Sequence, residues 1–184
     1  MPDLPFRTRV KMALTDALAE ITPAAGYITD LSPTVHDDGQ PMRRVTRGRA
    51  FFGDGDPLPM VAILERPDPS MEAGDPPQGA RVHTSLWELL VQGFARDEGE
   101  DPTDEADALL ADVKRRLAVE RERRAVNGRF PDPLGLGDRH AKNRVEELSF
   151  GTGVVRPADE ISAKAYFWLG VRLKLIEDPL FPFV

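Results

Sequence analysis

Apolar residues recur at helical spacing over residues 7–21 of the chain. They follow one another at steps of three and four positions, which places them on one side of a helix with 3.6 residues per turn. Thr22-Pro23 ends the stretch, because proline disfavours a helical conformation in the residue before it and has no N–H to donate. The predicted apolar stripe consists of Phe6, Val10, Leu14, Leu18 and Ile21.

A second stretch with helical spacing follows Asp101-Pro102-Thr103, whose side chains can cap a helix, and ends at Asn127-Gly128. Acidic residues occupy its first turn and arginines its later part, which matches the helix macrodipole. Its arginines are interpreted as a solvated face with pairs such as Glu120 and Arg124. The predicted buried stripe is Ala106, Leu109, Leu110, Val113 and Leu117.

Alternating apolar and polar residues predict strands elsewhere in the chain. The segment 58–65 is apolar on both faces, which is typical of a central strand covered on both sides. In segment 165–177, Phe167, Leu169, Val171 and Leu173 share one face and are predicted to enter the core, whereas Trp168 lies on the other. The predicted strands are 26–31, 45–52 (with a weaker pattern), 58–65, 86–95, 145–150 and 165–177.

The order of helix, strands, helix, strands predicts an α+β fold. We expect a mixed, mostly antiparallel sheet packed against two main helices, with long loops. A chain of 184 residues is expected to form one domain, 1–184, with a core sufficient for stability. Glycine and proline concentrate between the predicted elements, and two of these gaps, near 66–82 and 128–143, are predicted to be loop insertions.

Composition excludes several classes of protein. The absence of cysteine excludes disulfide frameworks, cysteine nucleophiles and thiolate metal sites. A net charge of −7 argues against general affinity for the phosphate backbone of nucleic acids. No apolar run reaches the length of a membrane span, and the first residues lack the apolar region of a signal peptide, so neither membrane insertion nor secretion is expected.

No catalytic constellation is found in the sequence. The histidines His36, His83 and His140 fall in predicted loops and lie at no metal-ligand spacing. The segments His36-Asp37-Asp38 and Gly53-Asp54-Gly55-Asp56 can bind a cation, but a solvated loop and a turn explain them more simply. We therefore assign no catalytic, cofactor-binding or metal-binding residues, and we expect the chain to fold without a cofactor.

Three segments together, in their order, resemble the tail terminator (tail completion) proteins of long-tailed bacteriophages, the group that contains the lambda tail terminator. The first comprises 26–30 (GYITD), 45–49 (VTRGR) and 56–65 (DPLPMVAILE); the second is 101–114 (DPTDEADALLADVK); the third is 169–178 (LGVRLKLIED). The resemblance covers most of the chain, which departs from the family by being longer at a proline-rich insertion, 67–79, and around 128–142.

The resemblance implies a structural virion protein rather than an enzyme. Its subunits would form a homo-oligomeric, hexameric ring that caps the tail tube protein, halts its polymerisation and provides the surface for the head–tail connector. DNA would pass through the lumen without specific binding, and no membrane is implied. The protein would be assembled in the host cytoplasm and reside in the tail or neck of the virion.

A basic stretch suggests how such subunits join. Four arginines lie within 43–49 of an otherwise acidic chain, and no acid falls inside that stretch. We predict that Arg47 and Arg49 contact an acidic edge of a neighbouring subunit, with 97–101 as one possible partner, and that Trp168 is a further subunit contact. The alternative is that the arginines are solvated or face the tail tube.

Other functions remain open at this stage. One is another neck protein, either a head-completion adaptor or the tail tube protein itself. The other is a small metal-dependent enzyme that uses Asp54, Asp56 and a histidine.

Overall fold

The computed structural model describes residues 4–36, 39–50, 52–53, 55–66, 82–97, 99–126, 128–137, 143–159 and 162–183. Two α-helices lie within these ranges, α1 (Phe6–Ala19) and α2 (Asp104–Glu122). The strands there are β1 (Thr34–Val35), β2 (Pro41–Met42), β3 (Val45–Arg47), β4 (Met60–Glu65), β5 (His83–Ala95), β6 (Val145–Phe150), β7 (Val154–Arg156) and β8 (Ala165–Glu177). This arrangement confirms the predicted α+β fold class.

The main sheet has the strand order β3-β4-β5-β8-β6, and β7 also pairs with β8. Only β3 and β4 are parallel among these described strands; the other pairs are antiparallel. β5 and β8 are paired over their full lengths, from His83 opposite Glu177 to Ala95 opposite Ala165. These two strands therefore form the backbone of the sheet, while β1 and β2 make a separate small hairpin.

Both helices pack on one face of the sheet, which we call the helical face. The core there joins the α1 and α2 stripes to Trp87, Leu89 and Val91 of β5 and to alternate residues of β8. Phe167, Leu169, Val171 and Leu173 are all buried in it, which confirms their predicted orientation. The opposite side of the sheet, which we call the open face, carries Leu86, Glu88 and Leu90 of β5 and Trp168, Gly170 and Arg172 of β8.

The prediction of a central strand at 58–65 is confirmed, although the strand begins at Met60. β4 lies between β3 and β5, and Met60, Val61, Ala62 and Ile63 are buried. Burial of four consecutive residues requires cover on both faces, because successive side chains of a strand point to opposite sides.

The predicted strand at 26–31 is wrong. A short 3-10 turn, Pro23–Ala25, leads into a left-handed residue, Gly26 at φ +82°, and residues 26–31 form no strand. The amides of Ile28 and Thr29 donate to the buried carboxylate of Asp112 on α2 instead of to a neighbouring strand. A side chain from another element has therefore taken over the hydrogen bonds that a strand would need.

Other differences from the prediction lie at the ends of elements. The strand expected at 45–52 ends at Arg47, because Gly48 adopts a left-handed conformation at φ +68°. α2 ends at Glu122, where the chain turns into a small hairpin in which Arg124 pairs with Pro131. Thr103 precedes α2, but its side chain forms no capping hydrogen bond.

The predicted loops contain some structure. β1 and β2 lie between the predicted strands 26–31 and 45–52, and β7 follows the turn at 151–153. Within the second insertion, Pro133–Gly135 forms a 3-10 turn and Leu134 is buried against the core. Residues 67–81, which make up most of the first insertion, and 138–142 lie outside the described residues.

A partly buried ion pair joins α1 to the end of β8. Arg7 Nε and Nη2 donate to the two carboxylate oxygens of Glu177 at 2.9 and 2.7 Å, and the Ser85 hydroxyl donates to the same group. Burial raises the pKa of Glu177, but the hydrogen bonds from Arg7 and Ser85 and the charges of Arg7 and His83 outweigh it. The pKa of Glu177 therefore lies below its ordinary value.

The depressed pKa predicts how this ion pair contributes to stability as pH changes. A group whose pKa is lower in the folded state stabilises above its unfolded pKa and loses that contribution as pH falls through its folded pKa. We expect Glu177→Gln to lower the free energy of unfolding at neutral pH, and this difference from wild type to shrink below the ordinary pKa of 4.5. Urea denaturation at pH 7 and about pH 3 measures both values. A difference that stays constant would contradict the assignment, and the exposed Glu122→Gln serves as the control.

Candidate interaction surface

Part of the open face is covered by the chain that follows β3. Phe52 of that segment contacts Phe94 with ring centroids 4.9 Å apart, and the Lys164 ammonium donates to the Gly53 carbonyl at 3.3 Å. Tyr166 and Trp168 continue this aromatic row, with ring centroids 5.6 Å apart. The Tyr166 hydroxyl donates to Asp159 at 2.7 Å, and this hydrogen bond raises the pKa of Tyr166. The aromatic row thus occupies one end of the open face.

The other end of the open face carries a groove of about 590 Å³, which we call the Gly170 groove. Its floor is Gly170, where a Cβ atom would meet no heavy atom within 4 Å. Glycine within a strand often marks a place where another group approaches the backbone closely. The groove is lined in part by Arg66, Glu88, Leu90, Ser149, Gly170 and Arg172.

The rim of the Gly170 groove carries more positive than negative charge. Arg172 Nε and Nη2 donate to one oxygen of Glu88 at 3.0 and 2.6 Å, and Arg66 donates to the other. The hydrogen bonds from Arg172 and Arg66 lower the pKa of Glu88, which keeps the carboxylate ionised. Two guanidinium groups thus share one carboxylate, so the rim has a net positive charge beside Leu90 and Gly170.

Arg47 and Arg49, the predicted interface arginines, have different surroundings. Arg47 is half-buried at the edge of the sheet and shares the face of its neighbour Ile63; within the described ranges its guanidinium has no charged partner. Arg49 binds Asp56 through two contacts of 2.8 and 2.7 Å and lies 5.0 Å from the Phe52 ring centroid. The acid that neutralises Arg49 thus comes from outside the basic stretch 43–49.

The structure does not bring the three predicted interface residues together. Trp168 lies in the aromatic row on the open face of β8, and two strands, β4 and β5, separate β8 from the edge strand that holds Arg47. The acidic loop suggested as their partner follows the far end of β5, where Asp97 accepts a hydrogen bond from the Ala158 amide at 2.9 Å. Any contact of this loop with Arg47 would therefore have to be between copies of the chain.

The structure gives little support to the candidate cation sites. Asp56 is occupied by Arg49 and by the Gly53 amide at 2.7 Å. His83 opens β5 instead of lying in a loop, and its Nδ1 atom is buried without a hydrogen-bond partner in the described residues. In the same ranges no three acidic or histidine side chains form a metal-binding group. Asp37, Asp38, Asp54 and His140 lie outside the described residues.

No protein-family model matches this chain, and no curated protein matches it either. Among the residues that the structure describes, no helix combines the length and apolar character needed to cross a bilayer. The open face, with its aromatic row and the Gly170 groove, is the candidate interaction surface. Sequence reasoning identified Trp168 on this face but missed the groove, whose one sequence signal is a glycine within an otherwise regular strand.

Proposed function

We propose that this chain is the subunit of a tail terminator ring, a structural virion protein that caps a bacteriophage tail tube and offers a docking surface for the head. The observation that carries the proposal is the open face of the sheet. Within the described ranges the sheet packs helices on one side only and carries apolar side chains and a groove on the other, an arrangement suited to burying that face against partners.

The segments that carry the resemblance form one connected unit in the fold. Asp112, in the second segment, accepts hydrogen bonds from Ile28 and Thr29 in the first, and Arg115 donates to the Gly26 carbonyl at 2.6 Å. The first segment also supplies β4 and the third supplies most of β8, and both strands pair with β5. This arrangement supports a reading of the three segments as one structural motif.

A second group of exposed apolar residues also favours assembly. Leu180, Phe181 and Phe183 are 74, 48 and 50% exposed, and they follow directly on β8. Large apolar side chains that are clustered and exposed commonly mark surfaces that bind another protein. The chain therefore presents two distinct surfaces, which a subunit of a closed ring requires.

Assembly and capping are tested with the purified protein. We expect sedimentation to show a discrete oligomer and negative-stain images to show six-fold rings. Added to polymerising tail tube protein from the same virus, the rings should stop tube growth and be found at tube ends. A monomer at micromolar concentration, or rings that leave tube length unchanged, would contradict the proposal.

The basic edge of the sheet is expected to contribute to ring assembly. We predict that Arg47→Glu shifts the concentration needed for assembly upward by roughly tenfold, and more at low salt, where repulsion is least screened. In the double variant Arg47→Glu, Arg49→Glu the second change also places a glutamate beside Asp56, so the single variant is the cleaner test. Sedimentation at two salt concentrations measures the shift, with the exposed Arg43→Glu as control. Unchanged assembly at low salt would show that Arg47 does not join subunits.

A further inference from the structure

We propose that the Gly170 groove receives residues 179–183 of a second copy of this chain, with an aromatic side chain of that segment seated over Gly170. This inference rests on the proposed ring and assigns the contact that would hold neighbouring subunits together. It commits to one occupant, a second copy, for three reasons that are independent of one another.

The first reason is the shape of the groove. Gly170 leaves its floor open, since a Cβ there would meet nothing within 4 Å, and Leu90 lies directly opposite it on β5. An apolar side chain can therefore approach the sheet backbone without displacing any described atom. The groove volume of about 590 Å³ accommodates an aromatic side chain together with part of its backbone.

The second reason is the composition of the 179–183 segment. It reads Pro-Leu-Phe-Pro-Phe, and three of its five side chains are large, apolar and exposed. Two prolines restrict its backbone, so little conformational entropy is lost when the segment binds. Asp178 directly precedes it; its carboxylate accepts a hydrogen bond from the Leu180 amide at 3.0 Å and interacts with Arg144, and its charge is opposite in sign to the net charge of the rim formed by Arg66, Glu88 and Arg172.

The third reason is that the 179–183 segment and the Gly170 groove lie on different sides of the molecule. The segment is anchored on the helical side of the molecule, where the Phe6 amide at the start of α1 donates to the Pro182 carbonyl at 2.8 Å. The groove lies on the open face, on the other side of the sheet. A contact between two different surfaces of identical subunits is head-to-tail, and such contacts generate rings when the rotation closes.

The absence of cysteine from the chain allows a direct test by disulfide crosslinking. Gly170→Cys protein is mixed in turn with Phe181→Cys and with Phe183→Cys protein under a mild oxidant. We expect at least one mixture to give covalent dimers well above the level seen with Gly99→Cys, a control cysteine in an exposed loop. A complementary variant, Gly170→Leu, fills the groove, and we expect it to retain the wild-type melting temperature and to need at least tenfold more protein to assemble. Gly99→Leu adds the same side chain elsewhere and should assemble normally.

The outcomes separate this inference from the proposed function. If wild-type protein forms rings but neither mixture crosslinks above control, the inference is overturned and the proposed function stands. If Gly170→Leu still forms rings but no longer stops tube growth, the groove binds the tube protein, which also overturns a second copy as occupant. If wild-type protein is monomeric, both proposals fail.

Discussion

Replacing Leu173 by alanine is expected to lower the free energy of unfolding by about 2–5 kcal/mol. Leu173 is fully buried on the helical face, opposite Trp87 on β5 and Leu148 on β6. Because both neighbouring strands fix the positions of these partners, the structure can relax only partly into the space left by the lost side chain. Urea denaturation measures the change, with the dependence of the free energy on urea concentration expected to stay constant.

A leucine on the other side of the sheet provides the matched control. Leu86 lies on the open face, next to Trp87 in sequence, and is 41% exposed. Leu86→Ala removes the same atoms but leaves no enclosed cavity, so we expect a change of less than about 1 kcal/mol. Equal effects of the two substitutions would mean that the open face is covered as fully as the helical face, which would also remove the basis for the proposed interaction surface.

The parts of the fold that could be predicted are those in which local pattern and tertiary environment agree. β8 alternates over thirteen residues, and every large aliphatic residue on one of its faces enters the same core. A register error of one residue would expose that entire set, so the pattern specifies both the strand and its orientation. The same argument holds for β4, whose two apolar faces indicate its interior position.

Segment 26–31 shows where local pattern fails. Tyr27, Ile28 and Thr29 have high β-propensity, yet Ile28 is 76% exposed and the segment forms no strand. Its backbone is fixed by a carboxylate 84 residues away along the chain from Ile28. Strand propensity describes how a residue fits a sheet and carries no information about such a distant acceptor.

The predicted pairing of Glu120 with Arg124 is wrong for a similar reason, although Arg115 and Arg121 are exposed as predicted. The sequence favours a solvated face with Glu120 paired to Arg124, whereas Glu120 is buried and binds Arg116 and Arg123. Arg116 also donates to the Ala17 carbonyl at 2.9 Å and contacts Glu20, which links α2 to α1. Helical spacing allows several pairs of similar geometry, and only the packing of the second helix selects among them.

The candidate interaction surface could be predicted only in part. The position of Trp168 follows from alternation, but the groove depends on the open space above Gly170 and on two arginines, one just after β4 and one on β8. Such a surface is a property of the assembled sheet. The sequence likewise does not show that the charge of Arg49 is paired with Asp56, which the fold places beside it.

Replacing Asp112 by alanine is expected to lower the free energy of unfolding by about 3 kcal/mol. The buried carboxylate accepts hydrogen bonds from the Ile28 amide at 2.9 Å, the Thr29 amide at 2.7 Å and the Thr29 hydroxyl at 2.9 Å. Without it, two backbone amides and one hydroxyl lose a charged acceptor, and hydrogen bonds to charged groups contribute about 1.5–3 kcal/mol. Urea denaturation measures the total, and hydrogen exchange at the amides of Ile28 and Thr29 measures the local effect.

Two further substitutions identify the cause of the Asp112 effect. Asp112→Asn keeps one acceptor oxygen and removes the charge, so we expect a smaller loss of stability and partial protection of the two amides. Glu122→Ala removes an exposed acid from the last turn of the same helix, where a negative charge is unfavourable, and should change stability by less than about 0.5 kcal/mol. If Asp112→Ala destabilised the protein while both amides kept their protection, Asp112 would act through helix packing and not by holding the 26–31 segment. Loss of protection confined to these amides would instead show that one buried carboxylate joins the first and second segments of the resemblance, through the backbone that the sequence predicts as a strand.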